Sequence, residues 1–303
     1  MRQFNEDTLT KAVVDRLKKT DNPRLRQIMS SAVKHLHAFA RDVHLTEEEW
    51  FEGIKFLTAV GQKCDDKRQE FILFSDILGL SMMIVALNHK TAPGATEATV
   101  LGPFFAHGAK EFGYNGDLRA GCTLKGEDVY VSGRIASLDG EPVANAVIDV
   151  WQAKADGIYD VQDPKAEFEL RGRVKANAKG EYAFLSYKPK FYSIPMDGPV
   201  GDLVRATTNN HMRPAHMHAI VSAPGFQQVI THVFVDGDPY LDGDAVFAVK
   251  DSLVAKYKKV NNAAEAKKLG LPNPYLTLSW DFHLSPQGKV KARKAIAPSD
   301  AVA

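Results

Sequence analysis

Two cysteines in 303 residues, Cys64 and Cys122, are too few for a disulfide framework or a structural zinc finger, so neither can organise this chain. Charge of one sign is also missing: Lys+Arg number 38 and Asp+Glu 37, a formal charge of +1. That near-balance offers no electrostatic case for nucleic acid or an anionic membrane surface. The opening residues, MRQFNEDTLT, are charged and polar and contain no apolar h-region, so a cytoplasmic, reducing location is expected. Long hydrophobic runs are nearly absent. The exception, residues 71–88 (FILFSDILGLSMMIVALN), is borderline against the roughly 20 residues of a membrane span. Asp76 near its middle and Gly79 within it argue against lipid exposure and for a buried helix of a soluble protein. Internal repeats and low-complexity tracts are lacking as well. What is present is ordinary globular composition, 45% hydrophobic and 25% charged, with a length that suggests about two domains and a core that needs no staples.

The first hundred residues have helical rhythm. Leu9, Val13 and Leu17 recur at spacing four, and Leu25, Ile28, Met29, Ala32, Val33, Leu36 and Phe39 follow a 3.6-residue period. Thr46 followed by Glu49 reads as a capping box, and Trp50, Ile54, Phe56 and Leu57 continue as an apolar stripe. Pro93-Gly94 closes this region. From Leu118 the period falls to two: Val129, Val131, Ile135, then Ala146, Ile148, Val150, with the hairpin signal Asp139-Gly140 between them. Further short runs at 182–187, 216–222, 229–235 and 275–282 complete the picture of an antiparallel sandwich or barrel. The expected class is α+β, with a helical domain at 1–100 and a β-sandwich domain at 101–303. Lys289, Lys291, Arg293 and Lys294 lie in a tail expected to be a solvated end.

The most informative segment is Arg213-Pro214-Ala215-His216-Met217-His218. Residues two apart on a strand share a face, so His216 and His218 can present two imidazoles to one metal; two histidines on a solvated strand face have the same spacing. Pro214 suits a strand start, where a missing N–H does no harm. Soft thiolate ligation is not in prospect, with Cys122 the one cysteine near these blocks. Tyrosines stand out instead, in Gly157-Ile158-Tyr159-Asp160 and Phe191-Tyr192-Ser193-Ile194-Pro195. A phenolate is a hard anionic ligand that favours Fe(III); equally, each tyrosine could be a half-buried anchor with its hydroxyl on a neighbouring carbonyl.

The blocks ATVLGPFF (98–105), DVWQAKADGIYD (149–160), GEYAFLSYKPKFYSIPMDGPVG (180–201), RPAHMHAIVSAPGF (213–226) and GDPYLDGDAVFAVKDSLV (237–254) together resemble the intradiol ring-cleavage dioxygenases. The resemblance runs from about residue 70 to 255. The helical N-terminal region looks like the linker and dimerisation domain of the catechol and hydroxyquinol branches. Carried over residue by residue, the resemblance implies a non-haem Fe(III) held by Tyr159, Tyr192, His216 and His218, with water or hydroxide in the fifth position. Two tyrosinates and a hydroxide balance the three charges of Fe(III). It further implies that Tyr192 is the displaceable tyrosinate that takes a proton from the incoming diol, and that Arg213 faces the ring and stabilises charge developing on it; otherwise Arg213 is a surface cation at a strand end. His232, in Thr231-His232-Val233, stands where catechol-cleaving relatives carry Gln and where the hydroxyquinol type is similar to this chain. It could reach a metal only if strand register put it on the face of His216 and His218.

The resemblance also points to pocket walls: Leu73, Asp76, Val100, Gly102, Pro103, Phe104, Ala245 and Val246. Asp76 is the discriminating one. A carboxylate in an apolar helix needs a polar partner, which could be a helix-internal donor, Arg68 or Lys90, or a third hydroxyl on the ring. Sites built to bond a hydroxyl reject analogues that lack it. Hydroxyquinol (benzene-1,2,4-triol), cleaved with O2, is therefore the expected substrate, with catechol or a chlorocatechol as the alternative. Partners implied by the resemblance are a second copy of the chain and a phospholipid in a tunnel at their interface, without nucleic acid or a membrane span. Two readings from other classes are a β-sandwich binding module and a zinc hydrolase; both give colourless protein, whereas tyrosinate-to-Fe(III) charge transfer gives a red one.

Overall fold

The computed structural model describes residues 3–65, 68–163, 166 and 168–287. The basic residues Lys289, Lys291, Arg293 and Lys294 lie outside the described residues. The chain forms two compact units, Met1–Gln62 and Lys63–Ala303. Compactness thus divides it earlier than the change of sequence period near residue 100.

The first unit holds α1 (Leu9–Leu17), α2 (Pro23–Asp42) and α3 (Glu47–Gln62). Asn22 caps α2 by accepting from the amides of Arg24 and Leu25, with Pro23 in the first turn where a missing N–H costs nothing. Thr46 and Glu49 form the expected capping box: the Glu49 amide donates to the Thr46 hydroxyl, and the Thr46 amide donates to the Glu49 carboxylate. The apolar stripes of these helices are largely uncovered in the single chain, Leu36 and Trp50 to more than half of their surface.

The second unit opens with α4 (Glu70–Ile77) and α5 (Leu80–Asn88). Residues 71–88 are therefore two helices rather than the single buried helix expected from the run. Gly79 takes φ 68°, in the left-handed region that ends a helix at little cost to glycine, and the two axes diverge by 80°. Burial is partial too: Leu73 and Asp76 are buried, whereas Leu80, Met83, Ile84 and Leu87 are exposed. Among the described residues no single helix is long and apolar enough to cross a membrane.

Strands follow as β1 (Glu111–Phe112), β2 (Gly116–Asp117), β3 (Asp128–Ser137), β4 (Val147–Gln152), β5 (Arg171–Lys175), β6 (Glu181–Tyr187) and β7 (Tyr192–Ser193). After α6 (Pro199–Ala206) come β8 (Met212–Arg213), β9 (His216–Ser222), β10 (Val229–Val235), β11 (Val254–Ala255) and β12 (Lys258–Val260). Helix α7 (Ala263–Leu269) precedes β13 (Tyr275–Ser279) and β14 (Phe282–Leu284). One sheet has the order β1-β5-β4-β9-β10-β11, the other β12-β13-β3-β6-β2 with β14 also on β3, and β7 pairs with β8. The central pairs are antiparallel, but β1, β2, β11, β13 and β14 join in parallel, so the sandwich is mixed rather than purely antiparallel. The Asp139-Gly140 turn closes a local tip through the Ser137 and Glu141 backbones. The chain then crosses to the other sheet, because β3 pairs with β6 and β4 with β5 and β9.

Alternation along the strands sorts core from site. On β9, Met217, Ala219 and Val221 enter the core between the sheets, with Ile148, Val150, Val131, Phe184 and Leu278. His216 and His218 face the opposite way. That outer face is not solvated: Phe104, Trp151, Tyr159, Tyr192 and Ile220 cover it as a second apolar cluster.

Candidate active site

Register across the first sheet builds the floor of the site. Arg171 on β5 stands opposite Trp151 on β4, Trp151 opposite His218 on β9, and His218 opposite His232 on β10. All four are buried. Trp151 stacks on the His218 ring at 4.6 Å and 10° between planes. His232 does lie on the face of His216 and His218, its ring 4.2 Å from that of His218, and donor atoms of the three histidines fall within 4.8 Å of one another. Its Nδ1 is bonded to the Thr99 hydroxyl, and Thr99 is itself pinned to β10 through its amide and the Ile230 carbonyl.

The two tyrosines arrive from loops. Tyr159 follows a turn at Gly157, whose φ of 86° only glycine takes readily and where a Cβ would press at 3.1 Å on both the Phe191 carbonyl and Tyr192. The Gly-x-Tyr spacing thus lets the two tyrosine segments touch. Tyr192 lies on β7 directly opposite Arg213 on β8. Tyr159 Oη is 3.0 Å from His218 Nε2 and 3.3 Å from His216 Nε2, and these two nitrogens are 3.1 Å apart. Arg213 Nη1 donates to Tyr192 Oη at 3.3 Å. Both phenols and both imidazoles are buried, which removes the half-buried tyrosine anchor and the solvated histidine pair as readings. Burial likewise removes the surface-cation reading of Arg213: its guanidinium is paired with Asp244, Nε to Oδ1 at 3.0 Å.

Electrostatics follow from that burial. Desolvation pushes the Tyr159 pKa well above the phenol range, with Tyr192 adding to it and Arg213 and Arg171 opposing. Desolvation and then Arg213 push His216 well below the imidazole range, and His218 and His232 move the same way. Burial disfavours the Arg213 charge, yet Asp244 and the phenols outweigh it and hold its pKa above the ordinary guanidinium value. His216 Nδ1 bonds to the Pro214 carbonyl, so its Nε2 carries a lone pair facing inward. Two neutral nitrogens and the Tyr159 oxygen converging at 3.0–3.3 Å are what one ion with bonds of about 2.1 Å would require, since donors at right or tetrahedral angles then lie about 3.0–3.4 Å apart. The cluster fits a metal ion.

Above this centre, Leu73, Asp76, Val100, Gly102, Pro103, Phe104, Tyr192, Arg213 and Val246 line one narrow cavity. Ala245 is buried next to it but is not among its lining; its amide bonds to Met212. Gly102, at φ 75°, passes so close to His218 that a Cβ would stand 3.2 Å from Cε1. Ile194 and Pro195 also line the cavity and were not anticipated as walls; they belong to the Tyr192 segment, which was the available signal. Asp244 was missed as well. It pairs Arg213 and accepts from the Ala248 amide at 2.9 Å, and nothing in its local sequence marks it apart from neighbouring turn aspartates. Arg171 was missed for the same reason: it clips Asp160 to the Phe104 carbonyl, fixing the residue after Tyr159 to the cavity wall. Arg68 is engaged by Glu70 and Asp197, so it is not the partner of Asp76, whose carboxylate is buried in the cavity wall.

The mixed sandwich gathers two histidines and two tyrosines, nitrogen and oxygen donors without a thiolate, over one sheet face beneath a small cavity. Residues 100–286 match the family model described as "Dioxygenase", and residues 22–96 match "Catechol dioxygenase N terminus". The chain belongs to the intradiol ring-cleavage dioxygenases, and with that membership the binding-module and zinc-hydrolase readings fall away. It is 48% identical over 287 residues to the 6-chlorohydroxyquinol 1,2-dioxygenase of Cupriavidus pinatubonensis, covering 94% of this chain and 99% of that protein. It is 47% identical to a hydroxyquinol 1,2-dioxygenase of a Rhizobium species, covering 93% and 96%. The solved hydroxyquinol 1,2-dioxygenase of Pseudomonas putida superposes with a TM-score of 0.86 at 45% identity, covering 93% and 99%.

Proposed function

We propose that this chain cleaves hydroxyquinol with O2 between its adjacent hydroxyls, giving 3-hydroxy-cis,cis-muconate, the tautomer of maleylacetate. The observation that carries this reading is the buried carboxylate of Asp76 in the cavity lining, opposite walls that are otherwise apolar apart from Tyr192 and Arg213. A ring that offers a third hydroxyl satisfies that carboxylate; catechol leaves it unpaired. The relatives named for hydroxyquinol and its chloro derivative support the same substrate.

In this reading Tyr159, Tyr192, His216 and His218 hold a non-haem ferric ion. Bound there, such an ion supplies the Lewis acidity and oxidising character that activate an ortho-diolate toward O2. The chain's own residues do the rest. Tyr192 Oη would accept one of the two protons that the diol loses on binding. The neutral imidazoles stay as donors, His216 with its tautomer set by the Pro214 carbonyl. Arg213, held by Asp244, presents Nη1 to the ring as negative charge develops, and Phe104 and the 98–105 loop exclude water.

The test is the ratio of kcat/KM for hydroxyquinol to that for catechol. Asp76→Ala should lower it by roughly 10–100-fold, the scale of a charged hydrogen bond. Equal losses on both substrates would mark Asp76 as structural and the chain as a catechol or chlorocatechol enzyme. The reading also includes a homodimer through the exposed helical faces, with a phospholipid in the interface tunnel. Light scattering at micromolar concentration should give twice the 33.4 kDa chain mass, and solvent extraction should release lipid; a monomeric mass would remove both statements.

A further inference from the structure

The two imidazoles of the cluster are held in different ways. His216 Nδ1 lies 2.7 Å from the Pro214 carbonyl, a hydrogen bond of the kind that usually orients a metal-binding histidine through its outer nitrogen. His218 turns Nε2 to the same centre, 3.0 Å from Tyr159 Oη and 3.1 Å from His216 Nε2, which directs Nδ1 away from it. Among the described residues that buried Nδ1 has no hydrogen-bond partner. The torsion that turns an imidazole about its Cβ is broad, so the backbone alone does not fix the plane of the ring. Packing has to fix it. Trp151, opposite His218 in the β4–β9 register, lies nearly parallel to the imidazole, with ring centres 4.6 Å apart and 10° between planes. His232 flanks the same ring from β10, on the other side of β9, at 4.2 Å and a tilt of 48°. Trp151 is itself braced by the Phe105 ring at 5.1 Å and 62°. Its indole N–H is buried and, among the described residues, also without a partner, so no acceptor accounts for its place. What Trp151 presents to the site is its face.

We propose that Trp151 is a positioning residue of the metal centre: its indole face, stacked on His218, sets the plane of that imidazole in place of the outer-nitrogen hydrogen bond that His216 has. The proposal rests on the reading of His218 as an iron ligand. It is tested on the iron-loaded enzyme by the rate at which excess EDTA removes the iron, followed by loss of the red colour and by metal analysis. Trp151→Met fills the space without a ring and should release iron about 10- to 100-fold faster, the scale of disturbing what orients a ligand. Trp151→Phe keeps a ring face against His218 and should stay within about threefold of the parent. Phe184→Leu removes an equally buried ring from the core between the sheets and should release iron at the parental rate. A parental rate in Trp151→Met, or the same acceleration in Phe184→Leu, would overturn the proposal, since the second outcome is general loosening of the fold. Should Trp151→Met fail to fold, Phe105→Leu takes its place, removing the brace and leaving the indole; it should speed release about 3- to 10-fold, and a parental rate there would overturn the proposal. Full iron occupancy in His218→Ala would remove the ligand reading and the proposal together, whereas iron-poor His218→Ala beside a parental Trp151→Met removes the proposal alone.

Discussion

Replacing Asp244 by Ala should be among the most damaging single changes near the site. Asp244 and Arg213 form an ion pair with side chains only 2% and 3% exposed. Removing one partner of such a pair strands a buried charge, at about 3–5 kcal/mol. The Ala248 amide also loses its acceptor at 2.9 Å, which adds about 1 kcal/mol. A total of about 4–6 kcal/mol is a large part of the ~5–15 kcal/mol that keeps a domain folded. Asp244→Asn keeps an acceptor oxygen for the amide and one hydrogen bond to the guanidinium, and should cost about 2–3 kcal/mol. Most telling is the double change Asp244→Leu with Arg213→Met. It removes both charges together and should be more stable than Asp244→Ala alone, although it touches two buried sites. The assay is equilibrium urea unfolding of the purified protein, followed by tryptophan fluorescence and circular dichroism. A loss below about 1 kcal/mol in Asp244→Ala, or a double variant weaker than that single one, would refute the argument that the pair is held by charge compensation.

Tyr159→Phe and His218→Ala should each lose most bound iron and the red colour that goes with it; metal analysis showing full occupancy in both would refute the proposed ligand set. Gly102→Ala should cost about 1–3 kcal/mol and disturb the visible spectrum, because the backbone sits at φ 75° and the new methyl would stand 3.2 Å from His218 Cε1; differential scanning calorimetry with an absorption scan reads both. Burial, opposed by Ser81 and Arg213, raises the Asp76 pKa above the usual carboxylate value. A raised acid favours the fold while protonated and loses that contribution as pH climbs through its folded pKa, so Asp76→Asn should raise Tm at pH 7 by more than at pH 4. An equal gain at both would place the effect elsewhere.

Much of this protein is legible without coordinates. The period-two runs mark the strands, and β9 and β10 span the runs expected at 216–222 and 229–235. Spacing alone puts His216 and His218 on one face, and the Gly157-to-Tyr159 and Arg213-to-His218 blocks are distinctive enough to name a family. Side-chain period and local turn chemistry are properties of neighbours in sequence, which is why these survive a reading of one chain. The rest depends on which segments meet. Whether the histidine face is solvated was decided by the 98–105 loop and two tyrosine turns closing over it. Register between β9 and β10, two strands buried on both faces, brought His232 opposite His218. The apolar run at 71–88 carries the composition of one helix. Its division into two follows from the left-handed backbone of a single glycine, and the exposed side of α5 shows how little of that run the single chain covers. Asp244 and Arg171 are polar residues with unremarkable surroundings in sequence. Their roles come from partners 31 and 11 positions away, and only burial at close range in the folded chain makes those charges matter.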